Sequence, residues 1–431
     1  MKKIRLIIIG AFLVRLFLIF GPYHPDLGNH LDWGNRFWQY GPKNFYTANV
    51  WSVSWPNQPP GTMYLWAGLS QINRFVQNFA WYLNLKYPIF PSKLIPWLNN
   101  HFYSGLVKLP SVLAELGIGF LLYLLALRLG MSSKKALIAG ALFLFNPAMI
   151  YNSAVWGQTD GLINFFALLS ILLILEDKFF WGILAFGFSL YFKMSLLIFA
   201  PLLLILLLSR KIVIWKIPLY FLAVFFIFVG LSLPFSTGNP LIWFFTLYKD
   251  KVLGSQGNML TGNAFNLWAV IFGIDLARND KGSWLNISFR LWGYLAFGAA
   301  YLAILIKNFK AKWRQREFFL SFILIAFSSF LLMTNMHERY LYPIFPFLAL
   351  LSVISERFLI FYLVLSIIHG LNLYYLWYYP RLNFLQNFLN SYQGLVPRIL
   401  SGILIFIYGR LWFYLFRSQK VPKNAKIVLS K

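Results

Sequence analysis

Residues 196–208 read LLIFAPLLLILLL and residues 219–233 read LYFLAVFFIFVGLSL, and neither stretch contains a charged side chain. Of the 431 residues, 59% are hydrophobic and only 12% are charged, whereas about a quarter of a soluble chain is charged. A surface this apolar is stable in the hydrocarbon of a bilayer and not in water. The sequence therefore predicts an all-α polytopic membrane protein.

Apolar segments of about 15–20 residues predict about twelve membrane-spanning helices. The segments 179–192 and 342–354 are short, and we expect them to be tilted or broken. The first segment begins with basic residues like a signal sequence, but no small-residue cleavage site follows, so we interpret it as an uncleaved helix. The predicted spans are residues 4–20, 105–127, 135–151, 161–175, 179–192, 194–208, 212–233, 284–306, 318–335, 342–354, 358–376 and 399–416.

Basic residues occur in every second connection between these segments. Lys and Arg remain on the cytoplasmic side of a membrane, so the alternation predicts that both termini are cytoplasmic. Loops as long as the first connection are usually functional, and its aromatic part from Tyr64 to Leu85 is typical of a helix in the membrane interface. The connections predicted to be extracytoplasmic are residues 21–104, 152–160, 234–283, 336–341 and 377–398.

The formal net charge is +26, from 38 Lys and Arg against 12 Asp and Glu. The basic residues lie in short segments between apolar runs, which indicates contact with lipid headgroups; we expect no nucleic-acid partner. The chain has no cysteine, which excludes disulfides and thiolate metal sites. It also lacks the Gly-rich phosphate loop, HExxH and G-x-S-x-G motifs.

The segment HPDLGNHLDWG at 24–34 directly follows the first predicted helix. It places Asp26 and Asp32 at the membrane surface, where a carboxylate can act as general base toward a hydroxyl. A carboxylate there could instead bind a cation together with His24 and His30. The structural alternative is a polar turn before a helix, with Asp26 as its N-cap.

A second polar segment, NPAMIYNSAVWGQTDG at 146–161, lies between two predicted helices. Asp160 falls at the positive N-terminal end of the second of these helices, so it is either a functional carboxylate or a simple helix cap. A third segment, NMHERYLYP at 335–343, carries His337, Glu338 and Arg339. Arg and His can together hold a phosphate; the alternative is a Glu-Arg pair that only neutralises itself.

Three further cations, Arg15, Lys108 and Lys193, lie in or beside apolar segments. Lys108 precedes Glu115 by seven residues, so the two fall on one helical face roughly 10 Å apart. They either lower each other's cost of burial or Lys108 reaches the interface. Lys193 either reaches the interface or points into a cavity.

Taken in order, these segments resemble the GT-C class of glycosyltransferases, which use polyprenyl-phosphate sugars as donors. The similarity extends over residues 15–345 and is greatest to the dolichyl-phosphate-glucose- and mannose-dependent branch and its bacterial relatives. A departure is Lys193-Met194-Ser195, where bacterial relatives often carry K-P-Q. The matching features are Asp26 seven positions before Trp33, Pro59-Pro60, K-L-P at 108–110 with Glu115, W-G-Q-x-D at 156–160 and H-E-R at 337–339.

The resemblance implies one glycosyltransferase domain over residues 1–416, a GT-C-like bundle in which 21–104 is the extracytoplasmic catalytic loop, and a basic cytoplasmic tail at 417–431. The expected reaction is inverting transfer of a hexose, mannose or glucose, from a polyprenyl-phosphate donor. The acceptor would be a hydroxyl of a lipid-linked or cell-surface glycan or of another extracytoplasmic acceptor, such as a cell-wall polymer or a protein. Membrane lipids are the other expected partners.

The resemblance also implies roles for individual residues. Asp26 would be the general base, with Asp32 as the alternative. Arg339 and His337 would hold the donor phosphate, together with Lys108 or Arg15. We expect no required cofactor or metal, although the carboxylates of the first loop are able to bind a divalent cation. The residues expected to contact the sugar or the acceptor are Asp160, Gln158, Trp156, Glu338 and Trp33.

Two other functions fit so apolar and basic a chain. One is a transporter or flippase of a lipid-linked sugar, although we find none of the inverted repeats typical of transporters. The other is a non-catalytic membrane assembly factor. The bias toward Lys, Asn, Ile and Phe indicates an AT-rich genome and predicts a prokaryotic plasma membrane. Which sugar is transferred, and to which acceptor, is open at this point.

Overall fold

The computed structural model describes residues 2–210, 212–254, 257–310 and 315–417. All but Arg417 of the predicted basic tail lies outside the described residues. The α-helices within these ranges are α1 Lys2–Ile19, α2 Pro25–Phe45, α3 Pro60–Lys86, α4 Leu94–Trp97, α5 Tyr103–Arg128, α6 Ser133–Leu144, α7 Pro147–Ile150, α8 Asp160–Leu175, α9 Phe179–Phe192, α10 Ala200–Ser209, α11 Lys216–Ser232, α12 Pro240–Thr246, α13 Leu267–Phe272, α14 Phe289–Lys310, α15 Gln315–Leu332, α16 Ile344–Ser352, α17 Glu356–Tyr374, α18 Asn383–Asn390 and α19 Leu395–Phe416.

Shorter elements connect or extend these helices. A small antiparallel hairpin pairs β1 Ser283–Trp284 with β2 Ile287–Ser288. Helical turns of π type are Leu98–Phe102, Tyr151–Trp156 and Leu247–Leu253, and turns of 3-10 type are Met194–Phe199, Leu233–Phe235, Glu338–Leu341 and Ser391–Gly394.

Each of the twelve predicted spans falls largely on helix in the structure, and the all-α polytopic class is confirmed. By length and apolar composition, however, only five described helical stretches can cross a membrane, or six if α6 is counted with the bent segment after it. The helices α8, α9 and α10 are shorter and pack against neighbouring helices. The shortness of 179–192 predicted this for α9 but not for α8 and α10. The five stretches are Leu94–Arg128, Lys216–Phe235, Phe289–Phe309, Glu356–Tyr374 and Asn383–Phe416.

The predicted first loop contains two long helices, α2 and α3, which pack against each other. Gly34 lies so close to α3 that an added Cβ would be 2.6 Å from the carbonyl oxygen of Trp66. On its outer face α3 exposes Phe75, Phe79 and Trp81 by 68%, 51% and 53%. An apolar aromatic face of this kind suits the interfacial position that the sequence predicts for Tyr64–Leu85.

The buried charges are paired differently from the sequence prediction. Glu115 forms an ion pair with Arg15, with 2.8 Å between Oε2 and Nε, and both side chains are fully buried. Ser153 and Tyr342 also donate hydrogen bonds to Glu115. Arg15 is therefore a structural partner of Glu115, and its role as a phosphate ligand stays a prediction.

Lys108 does not pair with Glu115. Its Nζ donates to the carbonyl oxygens of Gly21 at 3.2 Å and Pro22 at 2.8 Å. These carbonyls belong to the link between α1 and α2, so Lys108 holds that link in place. The helix α5 begins at Tyr103, close to the predicted start at residue 105, and continues through Pro110.

We predict that Glu115→Gln destabilises the protein by about 3–5 kcal/mol, because it leaves Arg15 buried without a counter-charge. The matched control is Glu176→Gln, which breaks an ion pair of the same 2.8 Å length between Arg128 and Glu176, with side chains 47% and 44% exposed. The control should change the free energy of unfolding by less than about 1 kcal/mol. Denaturant unfolding in detergent measures both, and equal effects would contradict the assignment.

Candidate active site

The beginning of α2 places Asp26 at one end of the helical bundle. His24 is the N-cap of α2: its Nδ1 accepts a hydrogen bond from the backbone N–H of Asp26 at 3.2 Å. The N–H of His24 donates to the carbonyl oxygen of Trp156 at 3.1 Å. The prediction that Asp26 is the cap is therefore wrong, and its carboxylate is available for other contacts.

A π-helical turn positions a hydrogen-bond partner of Asp26. The turn Tyr151–Trp156 ends at Gly157, which has φ of +94°, a conformation that favours glycine. The next residue, Gln158, donates from Nε2 to Oδ2 of Asp26 at 2.8 Å. Wide helical turns of this type recur at functional sites because they reposition side chains.

The segment 335–343 contributes the cation, Arg339. Arg339 Nη1 lies 3.1 Å from Oδ2 of Asp26 and 3.2 Å from Oε1 of Glu338. The sequence alternative of a Glu338–Arg339 pair is thus present, but Asp26 shares the same guanidinium. The side chain of Asp26 is 35% exposed, so a ligand can reach this carboxylate.

A second ion pair lies beside the first. Lys193 Nζ is 3.1 Å from Oδ1 of Asp160, and it also lies 5.4 Å from the ring centre of Tyr340. Arg339 is 5.4 Å from the same ring. Two cations therefore flank one tyrosine, and Lys193, whose role the sequence left open, belongs to the site. The only sequence signal for it was a lone cation between two apolar segments.

The loop that contains Gly262 pairs through its backbone with the segment 335–343 and holds this segment in place. Gly262 donates from its N–H to the carbonyl oxygen of Met336 at 2.8 Å, and the loop forms isolated bridges with His337. A Cβ at Gly262 would lie 2.9 Å from the ring of His337. In the same region the fully buried Asp280 accepts hydrogen bonds from Thr334 and Arg290.

The two carboxyls that share Arg339 have pKa values shifted in opposite directions. Burial alone would raise the pKa of Asp26, but attraction to Arg339 and the nearby His24 outweighs it and lowers the pKa well below its usual range. For Glu338 burial dominates the opposing attraction to Arg339, and its pKa is raised. Asp26 therefore keeps its negative charge at neutral pH.

Two histidines near this group are neutral at physiological pH. Burial, assisted by the positive charge of Arg339, lowers the pKa of His337 to about 3. Burial also lowers the pKa of His30 to about 3. His30 lies on the same face of α2 as Asp26 and stacks on Trp66 with ring centres 4.6 Å apart. Neutral imidazoles can each donate one hydrogen bond without adding charge.

Three predicted site residues make their described contacts outside this group, whereas the Lys108 side chain lies next to Gly157, which precedes Gln158. Asp32 accepts hydrogen bonds from Arg36 and from Ser52, which tie α2 to the turn after it. Trp33 is 2% exposed and donates its indole N–H to the carbonyl oxygen of Ser54. Arg15 and Lys108 have the partners described above. The residues that the structure does bring together are Asp26, Gln158, Trp156, Asp160, His337, Glu338 and Arg339.

In the described part of the chain, no three His, Asp or Glu side chains are arranged to hold a metal ion. His24 is engaged as a helix cap, and His30 is stacked on an aromatic ring. The arrangement that does exist is one of fixed cations facing ionised carboxylates, which suits an anionic ligand that also carries a hydroxyl.

We predict that Gly262→Ala destabilises the protein by about 1–3 kcal/mol, because the new methyl group overlaps the ring of His337. Gly68→Ala is the matched control, since a Cβ at Gly68 meets no atom within 4 Å. Thermal unfolding in detergent should separate the two variants. An unchanged unfolding temperature for Gly262→Ala would contradict the close packing of these two segments.

A family model described as "ALG3 protein" matches residues 158–249. This segment begins at Gln158 and includes Asp160 and Lys193. The family consists of dolichyl-phosphate-mannose-dependent mannosyltransferases of the GT-C type. No curated protein matches the chain. Over this segment, the chain is therefore similar to a family of membrane glycosyltransferases that use a dolichol-linked donor.

Proposed function

We propose that the protein is an inverting glycosyltransferase that moves a hexose from a polyprenyl-phosphate donor to a hydroxyl of a lipid-linked or other cell-surface glycan. Mannose is the hexose that we favour. The observation that carries the proposal is the contact of Asp26 with Arg339 and Gln158. This contact puts a carboxylate base beside a guanidinium that suits a phosphate. The family similarity of residues 158–249 supports the same chemistry.

The reaction breaks the bond between the sugar C1 and a phosphate oxygen and forms a bond from C1 to the acceptor oxygen. The acceptor proton passes to Asp26, and the electron pair of the broken bond leaves with the polyprenyl phosphate. Arg339 and Lys193 stabilise the negative charge that develops on this phosphate, and the neutral His337 donates one hydrogen bond to it. Neither ATP nor a nucleotide is needed.

Donor binding also activates the base. In the free protein Arg339 is engaged by Asp26, and this attraction holds the pKa of Asp26 low, which makes the carboxylate a weak base. A phosphate competes for the same guanidinium. Once Arg339 turns to the phosphate, burial dominates and the pKa of Asp26 rises, so the carboxylate accepts a proton more readily. We therefore propose that the donor binds before the acceptor is deprotonated.

The proposed site collects residues from every connection that the charge pattern predicts to be extracytoplasmic. Asp26, Gln158, Gly262, Arg339 and Trp377 represent these five connections, and they lie at or next to the site. On this basis we propose an extracytoplasmic active site with both termini in the cytoplasm. The bias toward Lys, Asn, Ile and Phe is the separate ground on which we propose a prokaryotic plasma membrane. A metal requirement is not part of the proposal.

We predict that Asp26→Asn lowers transfer at least about a thousandfold, since the amide cannot accept the acceptor proton. Asp32→Asn is the matched control on the same helix and should retain most activity, because Asp32 contacts Arg36 and Ser52 instead. The measurement is transfer of radiolabelled mannose from a short-chain polyprenyl-phosphate mannose to a lipid extract. Full activity of Asp26→Asn would refute the assignment, and inactivity of Asp32→Asn alone would move the base to Asp32.

The pH dependence of transfer should respond to Arg339. Activity is lost as pH falls through the pKa of Asp26, because the protonated carboxyl is no base. In Arg339→Gln the burial of Asp26 is no longer opposed, so its pKa rises and the acid limb of kcat/KM moves to higher pH. Arg339→Lys keeps the positive charge. The acid limb of its kcat/KM profile should therefore lie at lower pH than the acid limb of Arg339→Gln. Identical acid limbs in the two variants would contradict the ion pair.

A further inference from the structure

Trp377 lies in the turn between α17 and α18. The ring of His24 lies between Trp377 and the proposed base, Asp26. Its ring centre is 5.3 Å from that of His24, and His24 Nδ1 is 3.5 Å from Oδ1 of Asp26. Trp377 also lies 5.8 Å from Trp156, with an interplanar angle of 30°. Tyr379 continues the row at 5.4 Å from Trp377.

Exposure increases along this row of rings. Trp156 is 1% exposed, whereas Trp377 and Tyr379 are partly exposed. The rings Trp156, Trp377 and Tyr379, which we call the aromatic row, therefore lead from the vicinity of Asp26 toward the surface. Aromatic faces bind the C–H faces of sugars through dispersion and the hydrophobic effect, and they leave the hydroxyls free for hydrogen bonds.

The backbone on both sides of Trp377 is held in a disfavoured conformation. Leu376 has φ of +70° and Tyr378 has φ of +51°, values that bulky side chains rarely adopt. Three hydrogen bonds hold the turn there: Tyr378 N–H to the carbonyl of Tyr374, Tyr151 Oη to the carbonyl of Tyr379, and Tyr374 Oη to the carbonyl of Pro380. Such strain persists only where surrounding contacts enforce it, and here its result is the placement of Trp377.

The two oxygens of Asp26 face different surroundings. Oδ2 receives Arg339 and Gln158, whereas among the described residues Oδ1 faces the ring of His24 and, behind it, the aromatic row. If the donor phosphate occupies the Arg339 side, the acceptor hydroxyl must approach the base from the other side.

We propose that the aromatic row is a sugar-binding subsite for the acceptor glycan, with Trp377 as its principal stacking platform. The inference rests on the proposed function for its assignment to the acceptor. It assigns acceptor specificity to the extracytoplasmic segment after α17. A polyprenyl chain is the competing occupant, but that chain is attached to the phosphate and so belongs on the Arg339 side.

The test compares Trp377→Ala, Trp377→Phe and Trp284→Ala in the full-length protein. Trp284 is the matched control because it is 61% exposed and pairs with Trp292 beside the small hairpin. We expect Trp377→Ala to raise the KM for the acceptor lipid extract about five- to tenfold, with kcat and the donor KM changed less than about twofold. Trp377→Phe should be intermediate and Trp284→Ala unchanged. An unchanged acceptor KM, or a raised donor KM instead, overturns the subsite.

A binding measurement separates failure of the subsite from failure of the proposed function. Quenching of tryptophan fluorescence by a mannose disaccharide is compared for the wild type, Asp26→Asn and Trp377→Ala. The wild type and Asp26→Asn should bind equally, and Trp377→Ala should bind about five- to tenfold more weakly. Binding that Trp377→Ala weakens supports the subsite even if the wild type catalyses no transfer, which would refute only the proposed function. No binding by the wild type overturns the subsite.

Discussion

The ion pair between Asp26 and Arg339 joins residues that are far apart in the sequence, and the proposed site depends on this ion pair. A carboxylate at the edge of an apolar bundle loses hydration, which favours its neutral form. Arg339 and Gln158 restore the lost stabilisation at 3.1 and 2.8 Å. Because Arg339 suits a phosphate equally well, the same contact that stabilises the free protein is one that an anionic donor can replace.

The other buried charges position the elements that carry this pair. Arg15 on α1 is neutralised by Glu115 on α5, and Lys108 holds the link that leads from α1 into α2. Lys193 pairs with Asp160 at the start of α8. Each charge is costly in an apolar interior unless it has a partner. The requirement for pairing therefore fixes how the first helix, the first loop and the middle of the bundle fit together.

Departures from regular helix occur where the chain enters the site. The π-helical turn Tyr151–Trp156, the left-handed Gly157 and the turn around Trp377 all lie within reach of Asp26. Regular helices would point these side chains along fixed rows of 3.6 residues per turn. The irregular segments let Gln158 contact the Asp26 carboxylate directly, and they place Trp156 and Trp377 against the ring of His24 beside it.

The sequence by itself determined the helical membrane class, the approximate positions of the helices, and three of the segments that meet at the site. Apolar runs and charge alternation carry that information locally, because burial in lipid depends on composition within one segment. The choice of partners was decided only by the tertiary structure. Glu115 takes Arg15 and not Lys108, His24 and not Asp26 caps α2, and Asp32 and Trp33 turn away from the site. Lys193 lies beside the site because it pairs with Asp160, a partner that only the packing of the helices brings close. The choice of partner depends on which side chains the folded helices bring together, and no local pattern in the sequence contains that information.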